Sequence, residues 1–147
     1  MLVELLYCSA SAVPKLANAD LDQILASARW RNLAQDITGM MIYYRGEFVQ
    51  ILEGRKKSVQ NVYEKFICPD PRHMAINKVL ENTISHRSFN DWSMGFLGAP
   101  EIESPMPLSA MGILMKTLSE EAKAKPLSLG LNGFVSIYHQ MRKSPYR

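Results

Sequence analysis

Residues 37–54 read Ile37-Thr38-Gly39-Met40-Met41-Ile42-Tyr43-Tyr44-Arg45-Gly46-Glu47-Phe48-Val49-Gln50-Ile51-Leu52-Glu53-Gly54. Two apolar runs flank the turn Arg45-Gly46-Glu47, the pattern of a β-hairpin. Neither run alternates cleanly between apolar and polar residues. Both strands therefore belong at a sheet centre, and each sheet face needs a cover. Gln50 lies inside the second run. A buried carboxamide must find partners for its N–H donors and its oxygen, or it costs stability. Gln50 is thus a candidate contact to something polar in the core.

The rest of the chain supplies the cover. Leu2–Cys8 reads as a strand interrupted by Glu4, and residues 9–18 as a loop with Pro14. Asp20 is the expected N-cap of a helix over residues 21–33, with Leu21, Ile24, Leu25 and Ala28 at helical spacing. A second helix opens at Lys57-Ser58, carries Val59, Val62, Tyr63, Phe66 and Ile67 on one face, and ends at Pro69 and Pro71. Strands follow over residues 76–85 and 89–97. The order is β-α-β-β-α-β-β, an α+β, ferredoxin-like arrangement with one strand added and two helices on one face. Residues 101–107 read as a linker. Helices over residues 108–123 and 134–142 then cover or border the second face. The division expected is a domain over residues 1–98 and a C-terminal linker and helical cap, or output segment, over 99–147.

At 147 residues and 47% hydrophobic, the chain can bury a core without disulfides or metals. Cys8 and Cys68 match no zinc or CxxC spacing. Sparse cysteine fits a reducing cytoplasm. No run reaches membrane-span length, and no signal peptide is expected. A net charge of +3 does not announce nucleic acid.

Tyr7 shares strand parity with Val3 and Leu5. If strands one and three are neighbours, Tyr7 and Gln50 lie side by side, either as a core pair that fixes register or as a functional pair. Asn32 reads as a helix C-cap or as a residue facing the space between the helices. Asp70, Arg72 and His73, with Lys65 before them, are a solvated turn or a grip for hydroxyls and phosphates. His73 has no partner at metal-ligand spacing, so no metal is expected. Trp92 is core, interface, or a mobile cover for an aromatic cofactor, and Met94 shares its strand. Met106, Met111, Met115 and Met141 either cap the second face or form an exchangeable docking surface. No phosphate-binding Gly motif and no nucleophile–base pair stands out, so a small hydrolase is a weak reading. Residues 45–51 echo an RNA-binding signature, but Glu47 and Ile51 stand where aromatics belong.

Taken together, these residues resemble the BLUF family, sensors of blue light using flavin. The match rests on Tyr7, Asn32, Ile37-Thr38-Gly39, Phe48-x-Gln50-x-Leu52-Glu53-Gly54, Asp70-x-Arg72-His73 and Arg87-x-Phe89-x-x-Trp92-Ser93-Met94, and covers residues 1–98. The resemblance implies a non-covalent flavin, FAD or else FMN, between the two helices. Tyr7, Gln50 and Asn32 would face its ring, Ile24, Leu25, Ile37 and Ile67 would wall it, and Lys65, Asp70 and His73 would lie near the ribityl and phosphate part. It implies electron and proton transfer from Tyr7, a rearranged Gln50 hydrogen bond, and relay through Trp92 and Met94. It implies a switch and not an enzyme, a separate effector protein, and a homo-oligomer, with neither nucleic acid nor membrane as partner. The alternative is an RNA-binding module of similar fold without photochemistry. The chain departs from the family pattern at Lys65, where Arg is common, at Arg31 and Ala28, and at Cys68-Pro69, which lengthens the approach to Asp70 by one residue.

Overall fold

The computed structural model describes residues 1–13, 16–44, 46–90 and 93–98, together with Ser128, Gly130, Asn132 and Phe134. Its elements are β1 (Leu2–Ser11), α1 (Asn18–Ala34), β2 (Thr38–Tyr44), β3 (Glu47–Arg55), α2 (Lys56–Val62), a π-helical turn (Tyr63–Ile67), β4 (His73–Thr83) and β5 (Gly95–Gly98). The described strands form one sheet in the order β4-β1-β3-β2-β5. The ferredoxin-like α+β layout is as expected, with strands one and three adjacent at the sheet centre. Among the described residues, no helix is long and apolar enough to cross a membrane.

The pleat sorts the core into two layers. Val3, Leu5, Tyr7, Met41, Phe48 and Leu52 face one way, against Leu21, Leu25 and Ala28 of α1 and Val59 and Val62 of α2. The alternate residues Leu6, Met40, Ile42, Val49 and Ile51 are also buried, as are Phe89 and Phe134. The rings of Phe89 and Phe134 meet edge to face with centroids 6.3 Å apart. The second face is therefore covered, in part by the C-terminal segment. Gly130, Asn132 and Phe134 are helical, so helix begins earlier than the expected Phe134. The helix expected over residues 108–123 lies outside the described residues.

Several boundaries differ from expectation for identifiable reasons. β1 runs on to Ser11 because both neighbours keep pairing with it, Ser9 with Phe48 of β3 and Ser11 with His73 of β4. Asp20 is not the N-cap. The helix starts after Ala17, whose carbonyl accepts the first bond from Leu21 N at 3.1 Å, and Asp20 lies in the first turn, where its charge favours the helix dipole. Residues 63–67 wind as a π turn, closed by Cys68 N to Tyr63 O at 2.9 Å. A π turn takes in one more residue than an α turn. The last strand is not residues 89–97. The amides of Ser88 and Phe89 bond a side chain instead of a strand, and among the described residues of this stretch Gly95–Gly98 pair, parallel to β2.

Candidate functional site

A cleft opens between α1 and the π turn above the sheet. It is lined by Tyr7, Met41, Phe48 and Gln50 from the strands, Ile24, Ala28 and Arg31 from α1, Phe66 and Ile67 from the π turn, and Asp70, Arg72 and His73 beyond it. Tyr7 and Gln50 are cross-strand partners on β1 and β3. The Tyr7 hydroxyl donates a hydrogen bond to Gln50 Oε1. Both side chains are almost wholly buried. Burial pushes the Tyr7 phenol far above its usual range, more than the nearby Arg31 charge lowers it. Tyr7 thus keeps its proton at any physiological pH, directed at one acceptor.

Gln50 directs its other end elsewhere. Its Nε2 donates to Met94 Sδ at 3.3 Å, and sulfur is a weak acceptor. Met94 is buried and belongs to a short segment bound to α1. Arg29 Nε donates to Met94 O at 3.0 Å, and Asn32 Nδ2 to Ser93 O at 2.8 Å. Asn32 is not a C-cap. It is fully buried within α1, whose C-cap is Gln35. Asn32 Oδ1 and the neighbouring Arg31 Nε are both buried without a hydrogen-bond partner. One is an acceptor and the other a donor. The polar edge of a flavin ring offers an N–H between two carbonyl groups, so this donor set fits it.

The remaining expected residues divide. Ile24 and Ile67 line the cleft, whereas Leu25 and Ile37 are buried in the core beneath it. Lys65 is exposed in the π turn and does not line the cleft, because the next residue, Phe66, takes the rim position. Arg31 lies over the Phe66 ring, 5.5 Å from its centroid. Both ring nitrogens of His73 are engaged, Nδ1 with Ser9 Oγ at 2.8 Å and Nε2 with Ile67 O at 2.6 Å. A carbonyl oxygen can only accept, so Nε2 carries a proton toward Ile67 O. Partial burial raises the Asp70 carboxyl, but Arg72 outweighs it through hydrogen bonds from N, Nε and Nη2, and the net shift is downward. Trp92 lies outside the described residues, and among those residues no cluster could hold a metal.

Sequence reasoning did not single out Met41, Phe48 and Phe66 as cleft residues; Ala28 and Arg31 entered it only as departures from the family pattern, and Arg72 was read with Asp70 and His73 as a solvated turn or a grip for hydroxyls and phosphates. Met41 and Phe48 share strand parity with Gln50, a signal that could have found them.

A family model described as "Sensors of blue-light using FAD" matches residues 2–95. The chain belongs to this BLUF family. It is 36% identical over 94 residues to photoactivated adenylate cyclase subunit beta of Euglena gracilis, covering 63% of this chain and 11% of that protein. It is 32% identical over 74 residues to the blue light- and temperature-regulated antirepressor BluF of Escherichia coli (strain K12), covering 50% of this chain and 18% of that one. The chain thus spans well under a quarter of either relative. Among solved structures it resembles "BlrB - a BLUF protein, dark state structure", with 32% identity, a TM-score of 0.62, and coverage of 82% of this chain and 96% of that one. As a BLUF domain it is a blue-light sensor that binds flavin, and the RNA-binding alternative is not favoured. Phe48, the aromatic that such a sheet would present to bases, is buried.

Proposed function

We propose that Tyr7 and Gln50 form the light switch of this BLUF domain. The observation that carries this reading is the Tyr7 hydroxyl bonded to Gln50 Oε1 at a cleft that Arg31 also lines, with Arg31 Nε and the neighbouring buried Asn32 Oδ1 both unpartnered. Bound flavin, taken here as FAD, supplies a blue-absorbing ring that accepts an electron on excitation. Tyr7 would supply that electron to the bound flavin and, along the bond to Gln50, its Oη proton, and both would return to it on recombination, so that no net oxidation remains. Removing the proton from Oη takes away the donor that holds Gln50 Oε1 in place. The amide can then exchange which end meets Tyr7, Met94 and the cleft. Asn32 and Arg31 hold the polar edge of the ring. Arg72 and the outlying Lys65 meet whatever leaves the cleft, while Asp70 and His73 hold the turn that presents Arg72.

The weak Gln50–Met94 bond makes Met94 the first residue to sense the change, with Trp92 beside it in the chain. Residues 1–98 are the sensor and 99–147 the output segment. The chain itself is a switch and not an enzyme, acts in the cytoplasm, self-associates, and passes its signal by contact with a separate effector. A single rearranged hydrogen bond is worth about 1 kcal/mol, so it can only bias a nearly balanced element.

Flavin-loaded protein should shift its absorption slightly to the red under blue light and recover in the dark. Tyr7→Phe should keep the flavin and lose the shift. An unchanged photocycle in Tyr7→Phe refutes the donor role.

A further inference from the structure

On the sheet face away from the cleft lie two buried carboxylates that the switch does not use. Glu4 of β1 and Glu53 of β3 are themselves cross-strand partners, on the same ladder that pairs Tyr7 with Gln50. They are 1% and 0% exposed. Each is held by donors from a different part of the chain. Glu53 accepts from Ser88 N at 2.9 and 3.1 Å, from Phe89 N at 3.0 Å and from Thr38 Oγ1 at 3.4 Å. Glu4 accepts from Ser128 Oγ at 2.5 Å and from Gly130 N at 2.8 Å. A Cβ at position 130 would overlap the Glu4 carboxylate, so glycine is required for this approach.

Arg87 grips the same turn from its other side. Its guanidinium donates to Asp36 O at 2.7 Å, Asp36 Oδ2 at 3.1 Å and Thr38 Oγ1 at 3.2 Å. Residues 87–89 are thereby clamped to β2 and β3, and the chain that leaves this clamp delivers Ser93 to Asn32 and Met94 to Gln50. Burying two carboxyl groups side by side is costly, and backbone and hydroxyl donors converge on both to offset that cost.

We propose that Glu53 is a positioning residue for the switch, setting through residues 87–89 where Met94 meets Gln50, and that Glu4 beside it holds the C-terminal helix to the same two strands. Resting on the assignment of Gln50 as the switch, this gives the two strands that carry the switch pair a second pair on the opposite face, bonded to the segments that must respond. A change in strand pairing at Tyr7–Gln50 is then felt at Ser88–Phe89 and at Gly130 without any side chain crossing the sheet.

The test uses the full chain loaded with flavin and carrying 13C-labelled methionine methyls, the Met94 signal being assigned by Met94→Leu. In Glu53→Gln an amide N–H replaces an acceptor against backbone N–H groups. The expected result is a displaced Met94 resonance in the dark and a dark-recovery rate changed by about threefold or more, the scale of one altered hydrogen bond. Glu64→Gln, an exposed carboxylate, should change neither. A merely structural Glu53 would lower the unfolding midpoint and leave the Met94 resonance of the folded protein unmoved. Folded Glu53→Gln with wild-type resonance and recovery overturns the proposal. Should Glu53→Gln not fold, Thr38→Val, which removes the hydroxyl joining Glu53 to Arg87, is read by the same two signals with the same consequences. For Glu4, light should move the Gly130 amide resonance in the wild type and not in Glu4→Gln. No movement in the wild type, or equal movement in both, overturns that half. A wild type without a red shift would sink the switch assignment itself, whereas the dark Met94 resonance still reports on Glu53.

Discussion

Tyr7 combines two properties rarely asked of one phenol. It must lose an electron on demand, yet burial keeps its proton from leaving by simple ionisation. The folded chain holds a proton that the unfolded chain releases near pH 10. The stability gained is therefore complete below about pH 10 and is lost as pH rises towards the folded value. Tyr7→Phe should flatten this alkaline decline in urea midpoints between about pH 8 and 11, and an equal slope in both proteins would contradict the burial argument. Gln50→Leu should cost about 1–3 kcal/mol in urea unfolding, because it leaves the Tyr7 hydroxyl buried without its acceptor. The same variant should show no light-induced red shift. Both residues were legible in the sequence because strand parity and an amide in an apolar run are local signals. Glu53 was legible only as a letter in a motif. Its partners are the amides of Ser88 and Phe89, and no local pattern announces that a distant turn will aim its N–H groups at one carboxylate.

At the scale of elements, the strands differ in how firmly they are held. β1 and β3 each have neighbours on both sides, whereas β5 is a four-residue strand that, among the described residues, lies at the sheet edge and pairs with β2 alone. Amide hydrogen exchange should be slow in β1 and β3 and fastest among the strands in β5, and light should change the exchange of β5 most. Equal protection of β5 and β3 would count against β5 as the responsive element. β2 in turn depends on Gly39. A Cβ there would overlap the Ile51 carbonyl oxygen, so Gly39→Ala must push β2 away from β3. A loss of roughly 2–4 kcal/mol is expected in denaturant unfolding, in line with severe overpacking. The hairpin and both helices could be read from periodicity. The misread final strand shows the limit of that signal. Phe89 has the pattern of a strand residue, but its backbone donor is taken by Glu53.

Across the whole molecule, the sheet has two cores and one chain must close both. The helices close the face with the switch, and Phe134 helps to close the other, buried to 2% exposure against Phe89. Phe134→Ala should cost about 3 kcal/mol in denaturant unfolding if the C-terminal segment folds as one unit with the sheet. A negligible cost would mean that this segment is an independent appendage. The need for a cover on the second face followed from the two-sided apolar hairpin alone.

The π turn after α2 has a consequence for the lineage of such a chain. A turn that closes over one residue more than its neighbours is where an insertion or a deletion can be absorbed, with α2 before it and β4 after it keeping their places. Chain length can therefore drift at this point between generations while Tyr7, Gln50 and their ladder stay in register. The approach to Asp70 and Arg72 becomes the part of the cleft most open to evolutionary retuning.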